Sequence, residues 1–352
     1  MRLQIAQVAP LHERVPPRRY GGTERIVSYL TEELVRMGHD VTLFASGDSV
    51  TAARLIAGCD HSLREAGTMD GLAPHFAEFE EVVRRARQFD VIHFHVDYLH
   101  FPISARERYA HLTTLHGRLD LPEIAPVYRA YADMPLVSIS DAQRAPLPFA
   151  RWHATVHHGI PDDLYRLQPE RGSYLAFLGR IAPEKRPDWA IEIARRAGYP
   201  IRIAAKIDRA DRAYYEDQIA PLMRQPHVEY IGEIDDADKQ DFLGGALALV
   251  FPIDWPEPFG LVMLEAMACG TPVIACRRGS VPEVIDDGVT GFIVDGVDAA
   301  VDAVARCATL SRPGCRARFE QRFTARRMAE DYVMAYQTLL EHVRGARTHA
   351  AS

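Results

Sequence analysis

Two hydrophobic rhythms alternate along this chain. Short unbroken apolar runs are followed by stretches in which apolar side chains return every three or four positions. Residues 2–8 read as a first buried strand. Gly21 and Gly22 then introduce a helix whose Ile26, Val27, Leu30, Leu34 and Met37 fall on one face, and Gly38 is a natural stop. Residues 41–45 are the next strand. Further strands are expected at 90–94, 111–115, 135–139 and 153–157, with helical stretches near 75–88, 122–131 and 140–148.

The rhythm restarts near residue 173. Strands are expected at 174–178, 200–205, 227–231, 247–252, 272–276 and 291–294, with a helix near 184–197. Residues 161–173, rich in Pro, Asp and Gly, read as a linker. Residues 324–344 form a long amphipathic helix, and the tail beyond it is expected to be disordered. Strands alternating with helices make parallel sheets covered on both faces. The expectation is an α/β chain of two Rossmann-like parallel-sheet domains across a deep cleft: residues 1–168, residues 169–322, and a C-terminal segment 323–352 that includes the long helix. Ligands of such sheets bind at the carboxyl ends of the strands, so the chemistry is sought in those loops.

Bulk properties narrow the class. A length of 352 residues suits two domains. The net charge of -7 argues against nucleic acid as a general partner. Five scattered cysteines without a CxxC pair favour a reducing compartment over a disulfide scaffold or zinc site. No apolar run reaches the ~18 residues of a membrane span. A cytoplasmic enzyme is expected, with peripheral membrane contact left open.

The densest candidate chemistry is Glu257-Pro-Phe-Gly-Leu-Val-Met-Leu-Glu265. Two carboxylates bracket a turn and a helix opening inside an apolar run. Carboxylates are seldom buried without partners, and sugar hydroxyls are suitable donors. Phe259, Gly260 and Leu261 stand where free helix amides attract phosphate. Arg180 and Lys185 follow the strand 174–178 and offer a guanidinium fork and a point charge, a pair suited to a diphosphate. Gly21 and Gly22 permit close approach of backbone to a ligand. His116, directly after the strand 111–115, suits a polar contact over the cleft. Ile234, in the loop after strand 227–231, is placed to contact a base or ribose. Each has a plainer reading: exposed acids, solvated basic residues, a tight turn, a core histidine, an acidic first helical turn. His93 and His95 share a strand face, but no third metal ligand is evident, so packing or lining is preferred over a metal.

Together, Gly21-Gly22, His116-Gly117, Gly179-Arg180, Glu184-Lys185 and Glu257-x7-Glu265 resemble the retaining nucleotide-sugar glycosyltransferases of family 4, with the GT-B fold. The resemblance spans nearly the whole chain. It implies that Gly22 approaches the donor diphosphate and that Arg180 and Lys185 neutralise the leaving diphosphate. It further implies that Glu257 contacts the donor sugar, that the 259–261 backbone holds sugar hydroxyls and phosphate, that Glu265 binds the ribose, and that His116 lies near the transferred sugar. It implies front-face transfer of a hexose without metal or cofactor, the C-terminal helix crossing back onto the first domain. No Asp-x-Asp motif stands in a loop suited to a metal, which agrees. UDP-glucose ranks first as donor and GDP-mannose second; the acceptor is a small molecule or saccharide. His157-His158-Gly159 replaces the Asn-Gly of many members, and Ser138-Ile139-Ser140 replaces a serine-asparagine-serine run. The opening is reminiscent of bacterial members that include pterin glucosyltransferases and antibiotic-pathway enzymes. The alternatives are a GT-B-fold epimerase or phosphorylase, and a non-catalytic nucleotide-sugar-binding module.

Overall fold

The computed structural model describes residues 1–18 and 21–350. Tyr20, part of the first glycine motif, lies outside the described residues. The chain divides into two compact units, residues 1–159 together with the stretch from Ala325, and residues 160–324.

The first unit is built on seven strands: β1 (Gln4–Val8), β2 (Asp40–Ser46), β3 (Arg54–Cys59), β4 (Val91–Phe94), β5 (His111–Thr114), β6 (Leu136–Ser138) and β7 (Trp152–Thr155). They pair in parallel in the order β3-β2-β1-β4-β5-β6-β7. Central strands are buried on both faces, which is why they read as continuous apolar runs. The strand order reverses between β1 and β4, so the loops after β1, β4 and β5 gather at one end. β3 escaped the sequence reading. It is an edge strand, only half-buried, and carries neither a full apolar run nor a clean alternation.

The second unit repeats the plan with six strands: β8 (Tyr174–Arg180), β9 (Ile201–Lys206), β10 (Val228–Gly232), β11 (Ala246–Phe251), β12 (Val273–Cys276) and β13 (Gly291–Val294). Their order is β10-β9-β8-β11-β12-β13, all parallel. Leu175, Phe177, Ile203, Val250 and Ile274 anchor one core against Ile191 and Ala194 of the helix Pro187–Ala197. Here the reversal falls between β8 and β11. The α/β class and the tandem parallel sheets agree with the sequence expectation.

Some helices differ from expectation. The predicted helix at 140–148 is a single 3-10 turn, Ala142–Arg144. Pro146 and Pro148 remove amide donors just where the helix would continue. The stretch 122–131 narrows to Ala125–Ala130. The acidic first helical turn weighed for residues 235–239 opens the helix Asp236–Gly244, while helices Val297–Cys307 and Arg312–Arg322 were not anticipated. The last helix runs Ala325–Ala350, past the predicted end at 344. Its Ala325, Met328, Ala329, Tyr332, Tyr336 and Leu339 are buried at helical spacing within the first unit. No helix among the described residues is long and apolar enough to cross a membrane.

Candidate functional site

In the second unit the β8 and β11 loops are stitched together. The Asp254 amide donates to the Glu184 carbonyl at 2.9 Å. On this frame the Lys185 ammonium donates to Glu257 Oε2, and Trp255 Nε1 donates to the same oxygen at 2.9 Å. The ammonium also lies 4.9 Å from the Trp255 ring centroid, where the π face favours a cation. Both partners are largely buried, with 17% and 12% of their side-chain surface exposed. A second loop fixes Glu257. The Ser280 amide donates to its carbonyl at 3.0 Å, and Gly279 lies so close that an added Cβ would fall 2.3 Å from that oxygen.

Arg180, at the end of β8, reaches three acids. Its guanidinium donates to Glu184 Oε1 at 2.8 Å and Asp211 Oδ2 at 3.1 Å, and lies 3.6 Å from Asp208. Lys206 shares Asp208 at 2.8 Å. Arg180 is thus held by Glu184, Asp208 and Asp211, and Lys206 shares Asp208 with it. Asp208 and Asp211 went unrecognised in the sequence because only the fold brings them to Arg180; Trp255, two residues before Glu257, was within reach of the local motif.

The helix Leu261–Ala268 begins after Gly260, whose φ of 84° is left-handed. Phe259 precedes the helix, and its side chain is core, against Phe323. Gly260 and Leu261 are partly exposed, and the Met263 amide donates back to the Gly260 carbonyl at 3.1 Å, which leaves the earlier amides of the turn without intrahelical acceptors. Glu265 lies on the second turn and is 4% exposed. Its Oε1 accepts from Lys239 Nζ at 2.7 Å, while Oε2 is buried with no hydrogen-bond partner among the described residues. A buried acceptor left empty costs roughly 1–3 kcal/mol. Lys239 also lies 3.1 Å from Asp236. Ile234 is partly exposed just before Asp235, whose side chain caps the helix Asp236–Gly244 by accepting from the amides of Ala237 and Asp238. That acid is explained by helix capping.

In the first unit Gly21 immediately precedes the helix Gly22–Arg36. Among the described residues, a Cβ on Gly22 would meet no atom within 4 Å. Glu24, in the first turn, is buried; desolvation raises its carboxyl to about 7. It was not singled out from sequence. His116 follows β5. Its Nε2 lies 2.9 Å from His95 Nδ1, and its ring stacks on His158 at 5.2 Å between centroids. Burial lowers its pKa to about 3, so the ring is neutral at physiological pH. Its Nδ1 is buried without a hydrogen-bond partner among the described residues. His93 and His95 are lining and packing groups. His93 bonds to Tyr336 and Thr114, and His95 to Gln7 and His116. All five cysteines are free.

Lys185, Glu257 and Trp255 are thus brought together, Glu265 joins Lys239 on a separate contact, and Gly22 and His116 belong to the other unit. Residues 166–322 match the family model described as glycosyl transferases group 1, and residues 20–169 the model described as glycosyltransferase family 4. The chain belongs to glycosyltransferase family 4. This family 4 chain is 35% identical over 174 residues to a D-inositol 3-phosphate glycosyltransferase of Salinispora arenicola, covering 44% of the chain and 37% of the relative. It is 33% identical over 227 residues to the protein of the same name from Saccharomonospora viridis, covering 58% and 50%. The chain therefore spans only about 37–50% of the length of these two relatives. AviGT4, a glycosyltransferase involved in avilamycin A biosynthesis, superposes with a TM-score of 0.72 at 25% identity, covering 96% of this chain and 98% of that one. Sucrose-phosphate synthase from Thermosynechococcus elongatus gives 0.76 at 20% identity, covering 97% and 100%, and speaks to the fold alone. The fold is GT-B.

Proposed function

We propose that this family 4 chain transfers a hexose from a nucleoside-diphosphate sugar to a small-molecule or saccharide acceptor with retention of configuration. UDP-glucose is the preferred donor and GDP-mannose the second choice. The observation that carries the proposal is the Lys185–Glu257 pair beside Trp255, set at the carboxyl ends of β8 and β11 where the strand order reverses.

The chemical problem is charge. Breaking the sugar–phosphate bond builds positive charge on the sugar and negative charge on the diphosphate. Lys185, Arg180 and the amides from Gly260 onward answer the negative charge, and preorganised groups of this kind need no rearrangement as the bond breaks. They supply the charge that a divalent ion supplies elsewhere. Glu257 pairs with Lys185. When the donor enters, the diphosphate competes for the ammonium and the freed carboxylate accepts from sugar hydroxyls. Glu265 Oε2, buried without a partner, accepts from a ribose hydroxyl. No protein carboxylate is assigned as a nucleophile, so attack comes from the face the diphosphate leaves, and the departing phosphate takes the acceptor's proton.

A thermal-shift panel of nucleotide sugars, with and without a chelator, tests the reading. A ligand at a hundred times its dissociation constant adds ~2.7 kcal/mol. UDP-glucose is expected to give the largest shift, unchanged by the chelator. No shift with any nucleotide sugar would overturn the proposal.

A further inference from the structure

The first unit contains a continuous buried polar chain that ends on His116. On the last helix, Tyr336 Oη accepts from Gln7 Nε2 of β1 at 3.0 Å. Gln7 Oε1 lies 2.7 Å from His95 Nε2, and His95 Nδ1 lies 2.9 Å from His116 Nε2. Gln7, His95 and Tyr336 are all fully or nearly fully buried. His93 braces the far end, with its two ring nitrogens on Tyr336 Oη at 2.8 Å and Thr114 Oγ1 at 2.7 Å. A structural role alone would be satisfied by apolar packing at these positions, and buried polar chains are costly unless each member is paired.

Only two proton arrangements fit the Gln7–His95–His116 segment with neutral rings. In the first, His95 Nε2–H donates to Gln7 Oε1 and His116 Nε2–H donates to His95 Nδ1, leaving a lone pair on His116 Nδ1. In the second the Gln7 amide is reversed, both rings switch tautomer, and His116 Nδ1 carries a buried N–H. That nitrogen has no partner among the described residues. An empty lone pair is the cheaper orphan, because buried N–H groups without acceptors are rare in native structures. The same arrangement lets Gln7 donate to Tyr336, as its amide is oriented.

We infer that Gln7 and Tyr336 are positioning residues that act through His95 to lock His116 in its Nε2–H tautomer, so that Nδ1 receives a hydroxyl of the sugar-bearing substrate. The inference rests on the proposed transfer for the substrate's identity, but the locked tautomer does not. The site so made selects a hydrogen-bond donor at that point: a hydroxyl is accepted, and a deoxy or O-methyl substrate leaves the lone pair empty or clashes with it.

The test is nitrogen NMR of the full chain with 15N-labelled histidine, the His116 signals being assigned with His116→Gln. The expected result is a protonated Nε2 and an unprotonated Nδ1. In Gln7→Leu and Tyr336→Phe the two tautomers mix, while Gln7→Glu, which still accepts from His95, restores the single form. Transfer in Gln7→Leu falls at least tenfold, with affinity for free UDP, measured by calorimetry, unchanged. A protonated Nδ1 in the wild-type chain overturns the inference, as does a Tyr336→Phe or Gln7→Leu protein whose His116 tautomer is unchanged. Wild-type transfer by His116→Gln would instead refute the role of His116 in the reaction, leaving the tautomer measurement to stand separately.

Discussion

Lys185 and Glu257 are 72 residues apart in sequence and joined by a direct ammonium–carboxylate contact. Neither belongs to the core of the second unit, so removing the cation leaves the sheet intact. Lys185→Ala and Arg180→Ala are each expected to lower kcat at least a hundredfold, the ~2.7–4 kcal/mol cost of losing one preorganised charge. The Arg180→Ala melting temperature should stay close to wild type, while Lys185→Ala, which leaves the Glu257 carboxylate without its cation, melts lower but still folds. Steady-state kinetics alongside thermal melts checks this, and near-wild-type kcat in both would defeat the assignment.

The two acids of the Glu257–Glu265 segment have different partners, and their loss should separate. Glu265→Gln weakens binding of free UDP about tenfold, or ~1.4 kcal/mol, because the ribose contact is lost. Glu257→Gln leaves UDP affinity nearly unchanged but lowers kcat and blurs discrimination between donor sugars. Calorimetry with UDP against both variants decides, and equal losses of affinity would contradict the division of labour.

Two glycines should lose transfer on substitution by alanine, but only one of them should lose stability. At Gly279 φ is 51° and a Cβ would lie 2.3 Å from the Glu257 carbonyl, so Gly279→Ala lowers stability and transfer together. At Gly22 a Cβ meets no atom of the described residues. Gly22→Ala therefore keeps its melting temperature, but a methyl where the substrate approaches lowers kcat/KM at least tenfold. A Gly22→Ala enzyme with wild-type kinetics would show that the space above that glycine is not used.

Seven buried histidines among the described residues, His39, His75, His93, His95, His100, His111 and His158, have pKa values lowered by desolvation. In the unfolded chain they take protons below about pH 6.5, whereas in the fold they stay neutral. The unfolded state binds more protons there, so their stabilisation is complete above about pH 6.5 and is lost as pH falls. Each contributes up to ~1.4 kcal/mol per pH unit. Glu24, raised by burial to about 7, Asp97, raised to about 6, and Glu78, raised well above its usual range, oppose this but are outnumbered. Urea midpoints should therefore drop from pH 7 to pH 5; a flat profile would refute the buried-neutral state.

The parallel-sheet architecture was legible because central strands buried on both faces leave unbroken apolar runs, as in β1, β8 and β11. β3 was not, since a half-buried edge strand has no such run. The helix expected at 140–148 failed because its apolar spacing ignored Pro146 and Pro148. At the site, residues set within local motifs, such as Arg180, Lys185 and Glu265, were visible as types in a pattern. Asp208 and Asp211 have no meaning until the pairing of β9 with β8 brings them onto Arg180, and Lys239 none until the fold sets it against Glu265. Gln7 and Tyr336 are 329 positions apart, beyond the reach of any local rule.

The most direct measurement follows the fate of labelled sugar. With UDP-[13C]glucose and a panel of saccharide and small-molecule acceptors, carbon NMR should show label on an acceptor with the donor's anomeric configuration kept. In the absence of acceptor it should show slow release of glucose. A new epimer of the nucleotide sugar, release that depends on inorganic phosphate, or an intact donor under all conditions would contradict the account.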